Sequence, residues 1–123
     1  GQKEITLQCE KLSEQLNSVE RSKNPQTVSI LSRQLLETAS RIHSKKDRQI
    51  YEGLAYFDLG QIQSDKKDFG KAEEYYRKSF ASFSNDSIRE LDTKAMAALG
   101  IARCQMKQEN KEEMFHWLKI LEK

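Results

Sequence analysis

The sequence predicts an all-α fold of six helices paired as three antiparallel hairpins. Three observations predict it. Apolar residues recur at steps of three and four along most of the chain, and no segment shows the alternation of a half-buried strand. One proline and five glycines among 123 residues leave little material for β-turns. The pair Leu59-Gly60 returns as Leu99-Gly100, 40 residues later, each time inside an apolar helix face. Recurrence at such an interval marks a helical repeat, an architecture that binds rather than catalyses.

The elements follow in order. Ile5, Cys9, Leu12, Leu16 and Val19 form one stripe, which predicts a helix over 4–21. Asn24 supplies an N-cap and Pro25 a first helical residue for the second helix. Val28, Leu31, Leu35, Ala39 and Ile42 carry that helix to 43. Residues 44–47, SKKD, form a polar linker with Asp47 as the cap of the third helix. Ile50, Leu54, Phe57 and Ile62, widened by Tyr51, Ala55 and Leu59, make its face, which ends near Ser64.

The fourth helix starts near Asp68, runs through Phe69, Ala72, Tyr76 and Phe80, and stops about Phe83. Ser84, Asn85 and Asp86 end it and cap the next. The fifth covers 87–107 through Ile88, Leu91, Ala95, Leu99, Ala102 and Met106. Gln108, Glu109 and Asn110 interrupt it, and Asn110 caps a sixth helix bearing Met114, Trp117, Leu118 and Leu121. The hairpins then span about 4–43, 47–83 and 87–122 of one domain. Trp117 reads either as a cover for the third hairpin or as part of an exposed apolar patch.

The charge balance, 21 basic against 19 acidic residues, gives no reason to expect nucleic acid. No run approaches the roughly 18 apolar residues of a membrane span. The opening GQKEITLQ is too polar for a secretory leader, so a cytoplasmic, reducing location is expected. Cys9 and Cys104 then read as free core thiols, with a disulfide as the minor alternative. The start at Gly1 suggests a piece of a longer protein. His43, His116 and the two cysteines lack paired zinc spacing, so no metal site is expected. No phosphate loop, nucleophile elbow or nucleophile–base pair occurs, so neither a cofactor nor an enzymatic activity is expected.

The best-formed stretch, Tyr56 to Phe80, resembles the tetratricopeptide repeat family. That family places a bulky residue three before Leu-Gly, an aromatic near the turn, a small residue opening the second helix and an aromatic four later. Tyr56, Leu59, Gly60, Phe69, Ala72, Tyr76 and Ser79 match those positions in order, with 12 residues from Gly60 to Ala72. Small side chains at Gly60 and Ala72 allow two helices to cross closely, with Tyr56 and Tyr76 filling the groove beside the crossing. Met96, Leu99 and Gly100 repeat the first-helix pattern, but Glu112 stands where a small residue belongs. Such a departure suits a terminal repeat. The first hairpin keeps its helical stripes, with Leu12-Ser13 as the candidate in place of Leu-Gly, so the convincing match covers roughly residues 50–107.

The resemblance implies three hairpins stacked as a right-handed superhelical array. The family's usual spacing is about 34 residues. The longer interval implies helices extended by about a turn, the long-helix variety, or else a loop at 84–90 in a standard repeat. It further implies a concave groove, lined by the first helix of each hairpin, that binds a peptide or helical segment of a partner protein. The groove positions carried over are Leu54, Phe57, Asp58, Gln61 and Asp65 on the third helix. On the fifth they are Lys94, Ala97, Ala98, Ile101 and Gln105. Phe57 and Ile101 are expected as apolar pockets, Asp58 and Gln61 as holders of peptide backbone or of a basic side chain. The clamp that holds acidic chaperone tails is not expected, because its slots hold Phe57, Gln61, Ala98 and Ile101.

A scaffold or adaptor is the first functional expectation. A peptide-sensing domain of a larger regulator and a structural segment of a longer solenoid are the alternatives, and self-association through exposed terminal hairpins is a further possibility of the array. Two basic clusters, Arg41–Arg48 and Lys66–Lys71, read as solvated helix ends or as contacts for an acidic partner.

Overall fold

A computed structural model describes residues 1–83, 88–108 and 111–122. The described residues form α1 (Gln2–Ser18), α2 (Pro25–Ala39), α3 (Lys45–Asp65), α4 (Phe69–Ser82), α5 (Ile88–Lys107) and α6 (Lys111–Leu121). No strand occurs among them. No helix among them is long and apolar enough to cross a membrane. Consecutive helices pack on one another, and the odd-numbered helices also touch, α1 against α3 and α3 against α5.

The ends of the elements show how local chemistry sets them. Val19 adopts extended backbone, so α1 stops three residues before the expected boundary of 21. The second helix ends at Ala39 rather than 43 because the chain tightens there. The N–H groups of Arg41 and Ile42 donate to the carbonyls of Thr38 and Ala39, at 3.1 and 3.0 Å. Ile42 remains 2% exposed, so the turn keeps the stripe in the core although the helix has ended. The Gln2 side chain fastens this turn to α1, donating to the Arg41 carbonyl (3.0 Å) and accepting from the His43 N–H (2.7 Å).

Ser44, not Asp47, caps α3: its hydroxyl accepts the Asp47 N–H at 3.4 Å, which places Asp47 in the first turn. There its charge suits the positive end of the helix. At the other end the Lys67 N–H bonds the Ser64 carbonyl and the Asp68 N–H the Gln63 carbonyl, both at 2.9 Å. This is a Schellman motif with Lys67 at φ 64°, where glycine is usual. Asp68 then caps α4 by accepting the Lys71 N–H at 3.2 Å. Asn24 stands at the N-cap of α2 without a side-chain cap bond, leaving Pro25 as the start signal. The breaks expected at Ser84–Asp86 and at Glu109–Asn110 lie outside the described residues.

Two apolar clusters form the interior. Cys9, Leu12, Leu16, Val28, Leu35, Ala39, Ile42, Ala55 and Ile62 join α1, α2 and α3. Ala72, Tyr76, Ala98, Ile101, Ala102, Cys104 and Trp117 join α4, α5 and α6. Trp117 is 8% exposed, edge-on to Phe80 at 4.8 Å between ring centroids, and so covers the third hairpin. Cys9 and Cys104 are free and buried in opposite clusters. Burial pushes both thiols up to about 11.

Glycines join the two halves. A Cβ at Gly60 would stand 2.8 Å from the Tyr76 ring, and one at Gly100 also 2.8 Å from that ring, at other atoms. The ring therefore occupies the space that both Leu-Gly pairs leave open, and it locks α3, α4 and α5 together. Gly53 serves Phe83 in the same way, at 2.6 Å. The Ser79 hydroxyl donates to the Gly53 carbonyl at 2.7 Å inside this crossing. Ala72 is fully buried. Tyr56 lies outside the crossing and stacks on Tyr75 at 6.3 Å, with the Lys78 ammonium 5.5 Å from its ring.

Candidate functional site

The odd-numbered helices share one recessed face. Two adjoining cavities, about 340 and 160 Å³, are lined by α1, α3 and α5 and share Ser13, Asn17, Leu54 and Thr93. Glu10, Glu14, Ile50, Tyr51, Phe83 and Glu90 complete the larger one. Leu16, Leu35, Phe57 and Asp58 complete the smaller, which reaches down to the α2 layer. The apolar walls come from α3 with Leu16, Leu35 and Phe83, and most of the polar lining from α1 and α5.

Of the positions expected on α3, Leu54 lines both cavities, and Phe57 and Asp58 line the smaller. Phe57 also packs on the α4–α6 cluster, its ring 5.7 Å from that of Tyr76. Gln61 and Asp65 hold Arg21, from the turn between α1 and α2. Its Nη1 donates to Gln61 Oε1 and its Nε to Asp65 Oδ2, both at 2.7 Å. These two side chains thus grip a basic group of their own chain. Burial lifts the Asp58 carboxyl to about 6, and nearby Arg21 partly offsets this.

The α5 positions are placed differently. Ala97, Ala98 and Ile101 are fully buried, and Gln105 is 1% exposed, so none presents an open groove surface. Lys94 and Ala98 line a separate cavity of about 590 Å³ with Phe80, Leu91, Ala95, Ile120 and Leu121. The Lys94 ammonium donates to the Phe83 carbonyl at 3.1 Å and lies 4.7 Å from the Phe80 ring. The reason is rotational. The recessed face meets α5 at Thr93, one residue from Lys94, and one residue turns a helix by about 100°. The 40-residue offset from α3 therefore places Lys94 on the wrong side of α5.

Gln105 has a structural task. Its Nε2 donates to Glu73 Oε2 at 3.0 Å and to Glu113 Oε2 at 2.9 Å. Arg77 bonds both carboxylates as well, reaching Glu73 at 2.8 Å. The four side chains tie α4, α5 and α6 together, and the hydrogen bonds from Gln105 and Arg77 hold the Glu113 carboxyl below its ordinary range. In the signature set, Leu59 is 1% and Tyr76 5% exposed, while Leu99 is half-buried beside Gly100.

Ser13, Asn17, Glu10 and Glu14 were not carried over as site residues, because Leu12-Ser13 is too weak a counterpart of Leu-Gly to fix the register of α1. Glu90 was missed because Ile50, its counterpart 40 residues earlier, was not among the positions carried over, and Thr93 because it stands one residue before Lys94. Among the described residues, no group of three or more His, Cys, Asp or Glu side chains is placed to hold a metal ion. No family model, curated protein or solved structure matches the chain.

Proposed function

We propose that this chain is a protein–protein interaction module, a scaffold or adaptor, that binds a peptide or helical segment of a partner protein in the recess between α1, α3 and α5. The observation that carries this reading is the continuous recess: three helices from three hairpins contribute to one face with an apolar floor and a polar rim. A ligand in such a face buries apolar side chains on Leu54 and Phe57 and meets polar groups at its edges. The same reading takes the three hairpins as a right-handed array of the long-helix tetratricopeptide kind. The lengths of α3 and α5, 21 and 20 residues, support it, as does the packing of odd helices on one another.

The test is affinity for peptides selected against the whole chain from a displayed random library. Leu54→Arg fills the recess, and Leu91→Arg alters the separate face at α5. Binding that falls at least about thirtyfold in Leu54→Arg and stays unchanged in Leu91→Arg supports the recess. Unchanged binding in Leu54→Arg, with the helical circular dichroism intact, overturns it.

A further inference from the structure

We infer that the recess takes a basic segment, seating an arginine or lysine side chain against Ser13, Asp58 and Thr93 beneath the exposed carboxylates of Glu10 and Glu14. This rests on the recess being the binding site, and it adds the chemistry of the occupant.

Three independent observations carry it. The first is charge segregation. The two cavities are lined by four carboxylates and by no lysine, arginine or histidine among the described residues, in a chain with more basic than acidic groups. The recess therefore attracts cations and repels an acidic segment. The second is an unsatisfied group. Ser13 is only 9% exposed, lines both cavities, and its Oγ has no hydrogen-bond partner. A buried hydroxyl left unpaired is unfavourable, and a donor entering the recess beside Ser13 would relieve it. A guanidinium offers five donors in a planar fork, enough to serve the hydroxyl and the neighbouring carboxylate together.

The third is a precedent within the molecule. One and two turns beyond Asp58, Gln61 and Asp65 of α3 already hold a guanidinium, that of Arg21. The carboxylates of the recess are spread over three helices and do not converge as metal ligands do. A long cationic side chain matches that spread better than a metal ion does. The smaller cavity, about 160 Å³, has the scale of a side chain and not of a folded element.

The test is an amide NMR titration of the whole chain with the capped peptide Ac-Ser-Ala-Arg-Ala-Ser-amide. The control is the same peptide with citrulline, which keeps the shape of arginine and removes its charge. The expected result is saturable shifts at the amides of Ser13, Asn17, Asp58 and Thr93, with affinity about tenfold weaker for the citrulline peptide. The pair Glu10→Gln and Glu14→Gln should weaken the arginine peptide about fivefold and leave the fold unchanged. Equal titration by both peptides, or no shift with the arginine peptide, overturns the basic preference. In either case, library-selected peptides that still shift the same amides leave the recess standing as a binding site. If those peptides shift none of them, the recess itself fails.

Discussion

The ring of Tyr76 lies so close to Gly60 that a Cβ on that glycine would meet it at 2.8 Å. Gly100 approaches the same ring equally closely, so one aromatic residue uses the gaps left by both Leu-Gly pairs. The ring is 5% exposed and has no room to withdraw. Gly60→Ala and Gly100→Ala should each destabilise the chain by about 1–3 kcal/mol, measured by urea denaturation. With Tyr76→Ala already in place, the same changes should become neutral or stabilise by up to about 1 kcal/mol, since alanine favours helix. An equal loss in both backgrounds would show that the ring does not set the need for glycine.

Lys67 closes α3 in the left-handed region at φ 64°, at a position where glycine avoids strain. Lys67→Gly should stabilise the chain by about 0.5–1 kcal/mol, read as a higher denaturation midpoint with an unchanged slope. A loss of stability would mean that the lysine stem contributes more than its backbone costs.

Asp58 links stability to pH. Its carboxyl is raised from an ordinary value of 3.8 to about 6 in the folded chain. Between those values the folded state holds a proton that the unfolded state has released. The contribution of this group is therefore fully present below its unfolded pKa and is lost as pH rises through about 6. Asp58→Asn should match the parent chain near pH 4 and exceed its stability by about 1–3 kcal/mol near pH 7. A difference independent of pH would show that the carboxyl titrates normally.

The two thiols should be inert in the folded state. Both are buried and held up to about 11. Their reaction with a chromogenic disulfide near pH 8 should be at least about a hundredfold slower than in urea, where both react. Fast reaction of one thiol under native conditions would place it outside the core.

The helical stripes were enough to place all six helices, because each helix keeps apolar residues at steps of three and four, even where α3 and α5 bury more than one face. The ends were less legible. Ile42 stays in the core from a tight turn, so its periodicity continues past the end of α2. Ser44 and Asp47 are both able to cap, and only the backbone chooses between them. Gly53 matches Gly60 two turns earlier on the same helix, a signal that was present but unused, and Phe83 covers it. Gln105 reads as a groove position until Glu73, Arg77 and Glu113 surround it. The α3 half of the recess could be carried over from the repeat pattern. The α1 and α5 sides could not: Leu12-Ser13 is too weak a pair to fix the register of α1, and on α5 Thr93 stands one residue, about 100° of rotation, from Lys94.

The central claim is that the recess between α1, α3 and α5 is the binding surface. Its most direct measurement replaces Asn17, at the shared rim of the two cavities, by photoreactive benzoylphenylalanine and maps the crosslinks to a library-selected peptide by mass spectrometry. Leu91, on the separate face, receives the same probe in a second variant. Crosslinking from position 17 and none from position 91 is the result predicted here. Crosslinking from position 91 alone would contradict it.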